Sequence, residues 1–225
     1  MIKISNRLCT VAQYVRNGAI VADIGTDHAY LPIYLTLQNK IKRAVASDIN
    51  EGPLARAREH IKKYSLESKI DTYLTDGLNG IDKFAPTDVL ICGMGGELIT
   101  KILENADFIR DSKIRLVLQP MTMVRELREY LSKGFSTIDE NIVFEDNKLY
   151  QIICVEYDGK EHSYTSAQLE LGHKNIENGG ENYKKLLIST IAKKEKKLAG
   201  QRLGGEDTTV VEEELKELKA LLQGE

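Results

Sequence analysis

The stretch NIVFEDNKLYQIICVEYD, residues 141–158, decides the fold of this chain. It reads as two β-like runs, NIVFEDN (141–147) and LYQIICVEYD (149–158), with only a short turn between them. Neighbouring parallel strands need a crossover of about a dozen residues or more. The last two strands are therefore expected to be antiparallel.

Upstream, apolar runs recur at near-even spacing: AIVADIG (19–25), RAVASDIN (43–50), KIDTYLTDG (69–77), TDVLICGMGG (87–96) and KIRLVLQPM (113–121). Between them stand segments with helical spacing and charged faces, such as EGPLARAREHIKKYSLE (51–67) and GELITKILENADFIRD (96–111). Strand alternating with helix five times predicts a doubly wound, mostly parallel α/β sheet, which the final pair extends to seven strands. Five parallel strands ending in an antiparallel hairpin are the outline of a Rossmann-like class I S-adenosylmethionine-dependent methyltransferase rather than of a nicotinamide dehydrogenase.

Two domains are expected, residues 1–158 as the Rossmann-like part and residues 159–225 as a helical hairpin or coiled coil. Residues 159–182 are polar and contain Gly179-Gly180. Tyr183, Leu186, Leu187, Ile191 and Leu198 then follow at helical spacing, and Leu203-Gly204-Gly205 breaks the run. Thr208 or Thr209 can cap a second helix with Val211, Leu215, Leu218 and Leu222 on one stripe. Residues 183–202 carry a net charge of +6 and residues 203–225 a net charge of −5, so the two arms can lie side by side.

A chain of 225 residues, 42% of them hydrophobic, is long enough for one full α/β domain and a small appendage. A net charge of −3 argues against nucleic-acid binding by bulk charge. No run approaches the roughly 18 apolar residues of a membrane span, and MIKISNRLCT lacks the apolar run of a secretory signal. A cytoplasmic protein with no membrane partner is expected. The three cysteines, Cys9, Cys92 and Cys154, are odd in number and widely spaced, which suits reduced, structural thiols. No Cys/His cluster has metal-ligand spacing, so no metal is expected. Nothing in the sequence fixes the oligomeric state, and a monomer suffices.

The first strand runs into VADIGTDHAYLP (21–32). A dinucleotide loop would want G-x-G-x-x-G and a phosphate loop a lysine, but here a single glycine, Gly25, is followed by Asp27. Ligands of open parallel sheets bind beyond the carboxyl ends of the strands. Those ends carry Asp23, Gly25 and Asp27; Asp48; Asp76 and Gly77; Gly93-Met94-Gly95-Gly96; and Gln119-Pro120. Three successive ends bear carboxylates and none bears a lysine. A phosphate would meet repulsion of roughly 1 kcal/mol per close pair even in water, and more in a cleft. S-adenosylmethionine has no phosphate; it offers a sulfonium, an ammonium, a ribose diol and an adenine amino group.

Roles follow from this chemistry. Gly25 lets the backbone approach the methionine moiety, and Thr26 and Asp27 line the same turn. Asp48, with Ile49 beside it, accepts from the ribose hydroxyls. Asp76 accepts from the adenine amino group, and Gly77 keeps the adjacent wall low. Arg7, on the first amphipathic helix, is the candidate for the cofactor carboxylate, with Arg16 as second choice. After strand four, Cys92 to Gly96 offer no side-chain amide or carboxylate until Glu97. That argues against methylation of an exocyclic amino group and suits a ring nitrogen, whose lone pair attacks without first losing a proton. Catalysis then consists mainly of positioning, with Asp27 available for the positive charge that develops on the base. His28 and Tyr30 admit two readings: His28 near the cofactor with Tyr30 stacked on an extruded base, or Tyr30 in the core and His28 satisfied at a helix start.

The motifs ADIGTDHAYLP, SDIN, DGL, ICGMGGELI and LQPM, in that order, with ISNRLCTVAQYV before them, resemble the bacterial tRNA adenine N1-methyltransferases that modify adenine 22, the TrmK family. The resemblance implies S-adenosyl-L-methionine as cofactor and tRNA as substrate. It places Asp23, Gly25, Asp27, His28, Asp48, Asp76, Gly77, Gly93 and Met94 around the cofactor and the acceptor base, and it assigns no catalytic acid or base. Given the resemblance, Lys184, Lys185, Lys193, Lys194, Lys196, Lys197 and Arg202 read as tRNA contacts rather than as a face neutralised by the acidic arm. Two other classes fit the residues alone. A catalytically silent RNA-binding or assembly module would need no cofactor, and a small-molecule methyltransferase would need no basic arm.

Overall fold

Residues 2–223 are described in the computed structural model, so the ends of the two expected domains, at 1 and 224–225, lie outside the described residues. The strands are β1 (Ala19–Ile24), β2 (Ile41–Asp48), β3 (Ile70–Leu74), β4 (Asp88–Met94), β5 (Arg115–Pro120), β6 (Phe135–Glu145) and β7 (Lys148–Tyr157). They form one sheet in the order β3-β2-β1-β4-β5-β7-β6. The first five are parallel, and β7 runs antiparallel to both β5 and β6. The closing hairpin pairs Glu145 with Lys148 around Asp146-Asn147, whose φ angles are +49° and +58°. Two left-handed residues at the tip are what a two-residue I′ turn demands, and Asp and Asn tolerate them best after glycine. β6 begins at Phe135, well before the expected run, and a register shift between Thr137 and Asp139 interrupts its alternation.

Successive strand residues feed opposite cores, as a period of two requires. One core joins Val21, Ala44, Leu90, Val117 and Ile152 to the helices α1 (Asn6–Tyr14), α2 (Tyr30–Leu37) and α3 (Glu51–Lys63). The other joins Ala22, Val45, Val89, Leu116 and Ile153 to α4 (Gly96–Glu104) and α5 (Val124–Leu131). α3 stops short of Glu67 because Ser65 turns left-handed (φ +55°) and the Leu66 N–H bonds back to the Ile61 carbonyl, closing the helix end. The segment 96–111 likewise divides into α4 and a 3₁₀ turn, Asp107–Arg110. At the antiparallel edge Arg128 of α5 donates to Glu140 Oε1 (2.8 Å) and Gln151 Oε1 (2.8 Å), all three side chains being buried.

The chain divides into two compact units, Met1–His162 and Ser163–Glu225. The second contains α6 (Ser166–Leu171), α7 (His173–Asn178), α8 (Glu181–Gly204) and α9 (Thr209–Gln223). The two short helices occupy the stretch that reads as merely polar; Thr165 and Gln168 start the first of them with a reciprocal capping box. Arg202 near the end of α8 pairs with Glu212 near the start of α9, and Lys194 and Glu195, farther back on α8, pair with Glu214 and Lys219, farther along α9, so these helices are antiparallel. The first N–H of α9 is held by Asp207 Oδ1 at 2.9 Å, whereas the Thr208 hydroxyl donates to Glu212. Among the described residues no helix is long and apolar enough to cross a membrane.

Candidate active site

Strand order reverses between β1 and β4, and beyond the strand ends at such a reversal lies the crevice in which open parallel sheets bind their ligands. β1 delivers Asp23 and the Gly25 turn to that point, and β4 delivers Gly93 and Met94. Gly25 has φ +74°, and its N–H and that of Thr26 both bond the Ser47 carbonyl of β2, at 2.8 and 2.9 Å. A β-carbon at Gly25 would run into the Met94 methyl group, so the two strand ends face each other across this turn.

Asp23 is 6% exposed and accepts a 2.6 Å bond from the Thr26 hydroxyl. Burial pushes its carboxyl up to about 6; Thr26 opposes the rise and the nearby Asp48 carboxylate adds to it. Asp48 ends β2, with one oxygen held by the Asn50 N–H at 2.8 Å and Ile49 exposed beside it. Asp76 stands exposed after β3, and Gly77 (φ +55°) lies against Ile102 of α4. Two interacting carboxylates, one of them buried, suit a ligand that brings positive charge and hydrogen-bond donors and lacks phosphate. The donor set therefore fits the sulfonium, ammonium and ribose of S-adenosylmethionine.

Arg7 reaches the same crevice from α1. Its guanidinium donates to Gln119 Oε1, lies over the Tyr150 ring at 5.3 Å, and comes within 3.9 Å of where a Gly93 β-carbon would stand. Gln119 is fully buried, and its Oε1 also accepts the Gly93 N–H at 3.1 Å, fixing that left-handed peptide (φ +78°). Sequence reasoning missed this role, although a glutamine inside the apolar run KIRLVLQPM was the available signal. Arg16, the second choice for the cofactor carboxylate, does not reach this crevice. It bonds both oxygens of Asp88, at the start of β4, with the Thr87 and Lys113 carbonyls, and so sits at the opposite end of the sheet. Beside Arg7, the loops after β4 and β5 interlock. Met121 N–H bonds Met94 O and Gly96 N–H bonds Thr122 O, each at 2.8 Å, and a β-carbon at Gly96 would collide with the Met123 carbonyl.

The turn after Gly25 is pinned from α3. Asp27 (φ +48°) bonds Arg56 at 2.6 Å and lies 3.3 Å from His28 Nε2. Its charge is thus already matched by Arg56, a competing partner for the carboxylate expected to answer charge on a base. Ala29 is also left-handed (φ +54°). His28, Tyr30 and His60 of α3 stack with centroids 5.0, 5.3 and 5.2 Å apart, and Tyr30 is 39% exposed rather than in the core. His28 Nδ1 is buried without a hydrogen-bond partner. Arg56 and His60 carried no local signal, because both act across about thirty residues of chain. All three cysteines are free, and no metal-binding grouping of His, Cys, Asp and Glu occurs among the described residues.

In the second unit, Lys194 lies between Glu170 and Glu214 (2.6 Å each) and Arg202 pairs with Glu212 (2.9 Å), so part of the basic arm is neutralised. Lys193, Lys196 and Lys197 are exposed on one side of α8.

Residues 4–153 match the family model described as "Methyltransferase domain". The chain is 41% identical over 172 residues to the tRNA (adenine(22)-N(1))-methyltransferase of Bacillus subtilis, covering 76% of this chain and 72% of that protein. The crystal structure of the B. subtilis M1A22 tRNA methyltransferase TrmK superposes with a TM-score of 0.84 at 35% identity, over 100% of this chain and 99% of that one. The Streptococcus pneumoniae protein Sp1610, in complex with S-adenosyl-L-methionine, superposes with a TM-score of 0.86 at 31% identity, over 98% and 100% of the two chains.

Proposed function

We propose, because this chain belongs to the tRNA (adenine-22, N1)-methyltransferase family, that it methylates N1 of adenine 22 in tRNA with S-adenosyl-L-methionine as donor. The observation that carries this reading is the crevice at Gly25. It has acidic, lysine-free strand ends on one side, and on the other the Gly93–Gly96 turn, which offers no side-chain acceptor for an amino group. S-adenosylmethionine, when bound, supplies an electrophilic methyl group on a sulfonium. The ring N1 lone pair needs no general base, so the work of this chain is to bind, orient and exclude water.

Asp23, with Thr26 and the Gly25 backbone, takes the methionine end, and Arg7, held by Gln119, takes its carboxylate. Asp48 accepts from the ribose hydroxyls, Ile49 covers the adenine and Asp76 accepts from its amino group. Gly93 and Met94 form the wall toward the acceptor. The exposed Tyr30 ring, backed by His28, receives an adenine that has left its stack. Asp27, tied to Arg56, holds the turn that aims these rings. Lys193, Lys196 and Lys197 follow the tRNA backbone from the coiled coil of α8 and α9. The reaction belongs to the cytoplasm, where its substrate is, and one copy of the chain carries every group named.

The test is to incubate the protein with labelled S-adenosylmethionine and unmodified tRNA, or the same tRNA with adenine 22 replaced, and digest the products to nucleosides. Label in 1-methyladenosine from the first tRNA only is expected; label in N6-methyladenosine, none at all, or label from both overturns the reading.

A further inference from the structure

We infer that His60 is a positioning residue for methyl transfer, holding the Asp27–Tyr30 turn so that Tyr30 presents its face to the acceptor base. The inference rests on the base-stacking role proposed for Tyr30. The three rings lie within 16°, 24° and 20° of parallel, and every pair is about 5 Å apart. A straight column would put its outer rings about 10 Å apart. The rings instead form a triangular cluster, and removing His60 takes one corner from under both others.

His60 also bonds the turn through its backbone. Its Nδ1 lies 3.2 Å from the His28 carbonyl oxygen, which can only accept, so Nδ1 carries the proton and donates. Asp27 and Ala29, on either side of that carbonyl, both hold left-handed conformations that L side chains rarely adopt. Such conformations persist when surrounding contacts over-determine them. α3 supplies two such contacts one turn apart, Arg56 to the Asp27 carboxylate and His60 to the His28 carbonyl. The Gly25 turn itself is anchored separately, by Ser47 of β2, so cofactor binding does not depend on His60.

The test uses the full-length protein and unmodified tRNA, with His60→Ala, His60→Phe, His60→Asn and Tyr30→Ala. Phe keeps a ring without the donor; Asn keeps a donor at the Nδ1 position without the ring. His60→Ala is expected to lower kcat on the order of tenfold, with KM for tRNA and calorimetric affinity for S-adenosylmethionine within about twofold of the parent. Phe and Asn should each recover part of that loss, a rescue that a merely structural role would not show at equal melting temperature. Unchanged kcat in His60→Ala, or Phe and Asn no faster than Ala, overturns the inference. If Tyr30→Ala keeps full turnover, the base-stacking reading is what fails. If Tyr30→Ala is slow and His60→Ala is not, only the role of His60 fails.

Discussion

Asp23→Asn should strengthen the fold and weaken the ligand site at the same time. The carboxyl is 6% exposed and titrates at about 6 instead of 3.8, chiefly because burial penalises the charge. Above pH 6 it is ionised in folded and unfolded chains alike, and the folded state bears the whole penalty. As pH falls from about 6 toward 3.8, the folded state takes up its proton first and the penalty disappears, so this residue adds stability on acidification. At about 1.4 kcal/mol per pH unit, the interval is worth about 3 kcal/mol. Asparagine carries no charge and can still accept from Thr26. At pH 8 the variant should therefore melt roughly 6–12 °C above the parent, taking about 2–4 °C per kcal/mol for a unit of this size. Near pH 4 the two should melt together. S-adenosylmethionine affinity at pH 8 should fall by about tenfold or more, since one attractive charge in a crevice is worth at least about 1.4 kcal/mol. Thermal melts across this pH range, with calorimetry at pH 8, read both effects. A variant that melts at or below the parent at pH 8, or a gap that persists near pH 4, would refute the reasoning.

Asp48→Ala should weaken S-adenosylmethionine binding by about 2 kcal/mol, the value of hydrogen bonds to a charged acceptor; calorimetry showing unchanged affinity sinks the ribose assignment. Glu140→Ala removes the carboxylate beside the buried Arg128 guanidinium, which keeps its bond to Gln151, and should cost about 3–5 kcal/mol, whereas the paired replacement Arg128→Met with Glu140→Leu should recover most of it in thermal melts. Replacing Lys193, Lys196 and Lys197 together by alanine should weaken tRNA binding and flatten its salt dependence by about 2–3 contacts, leaving cofactor affinity alone. Filter binding at several salt concentrations decides that point, and an unchanged slope would move the RNA contact elsewhere.

Asp146-Asn147, which read as the end of the run 141–147, is the turn itself, yet the strands and their directions were legible because each apolar run is local. The acids at the strand ends were legible for the same reason: topology alone says which end of a parallel strand meets ligand. Contacts that join distant segments were not. Arg7 and Arg16 belong to the same stretch of basic and apolar residues, yet packing sends one to the crevice and the other to Asp88 at the far end of the sheet. Arg56 and His60 look like an ordinary charged helix face until α3 is laid beside the glycine turn. Asp27 shows the limit of counting charges, since the carboxylate that distinguishes the loop from a phosphate binder is matched by an arginine from another element. In the C-terminal arm, likewise, composition gives the charge of each helix but not which lysines remain unpaired.

The anchoring of α1 sets an order of assembly. Asn6 N–H bonds Glu145, and Arg7 bonds Gln119 and lies over Tyr150, so α1 docks on strands of its own unit that are synthesised long after it. Contacts of such sequence separation form late in folding, after the local βα pieces. A nascent chain that ends before Tyr150 therefore holds the glycine turn and its acids without the aromatic seat of the arginine that completes them. The seat of Arg7 is thus complete only once β7 has been made, although every strand that carries a site carboxylate precedes it.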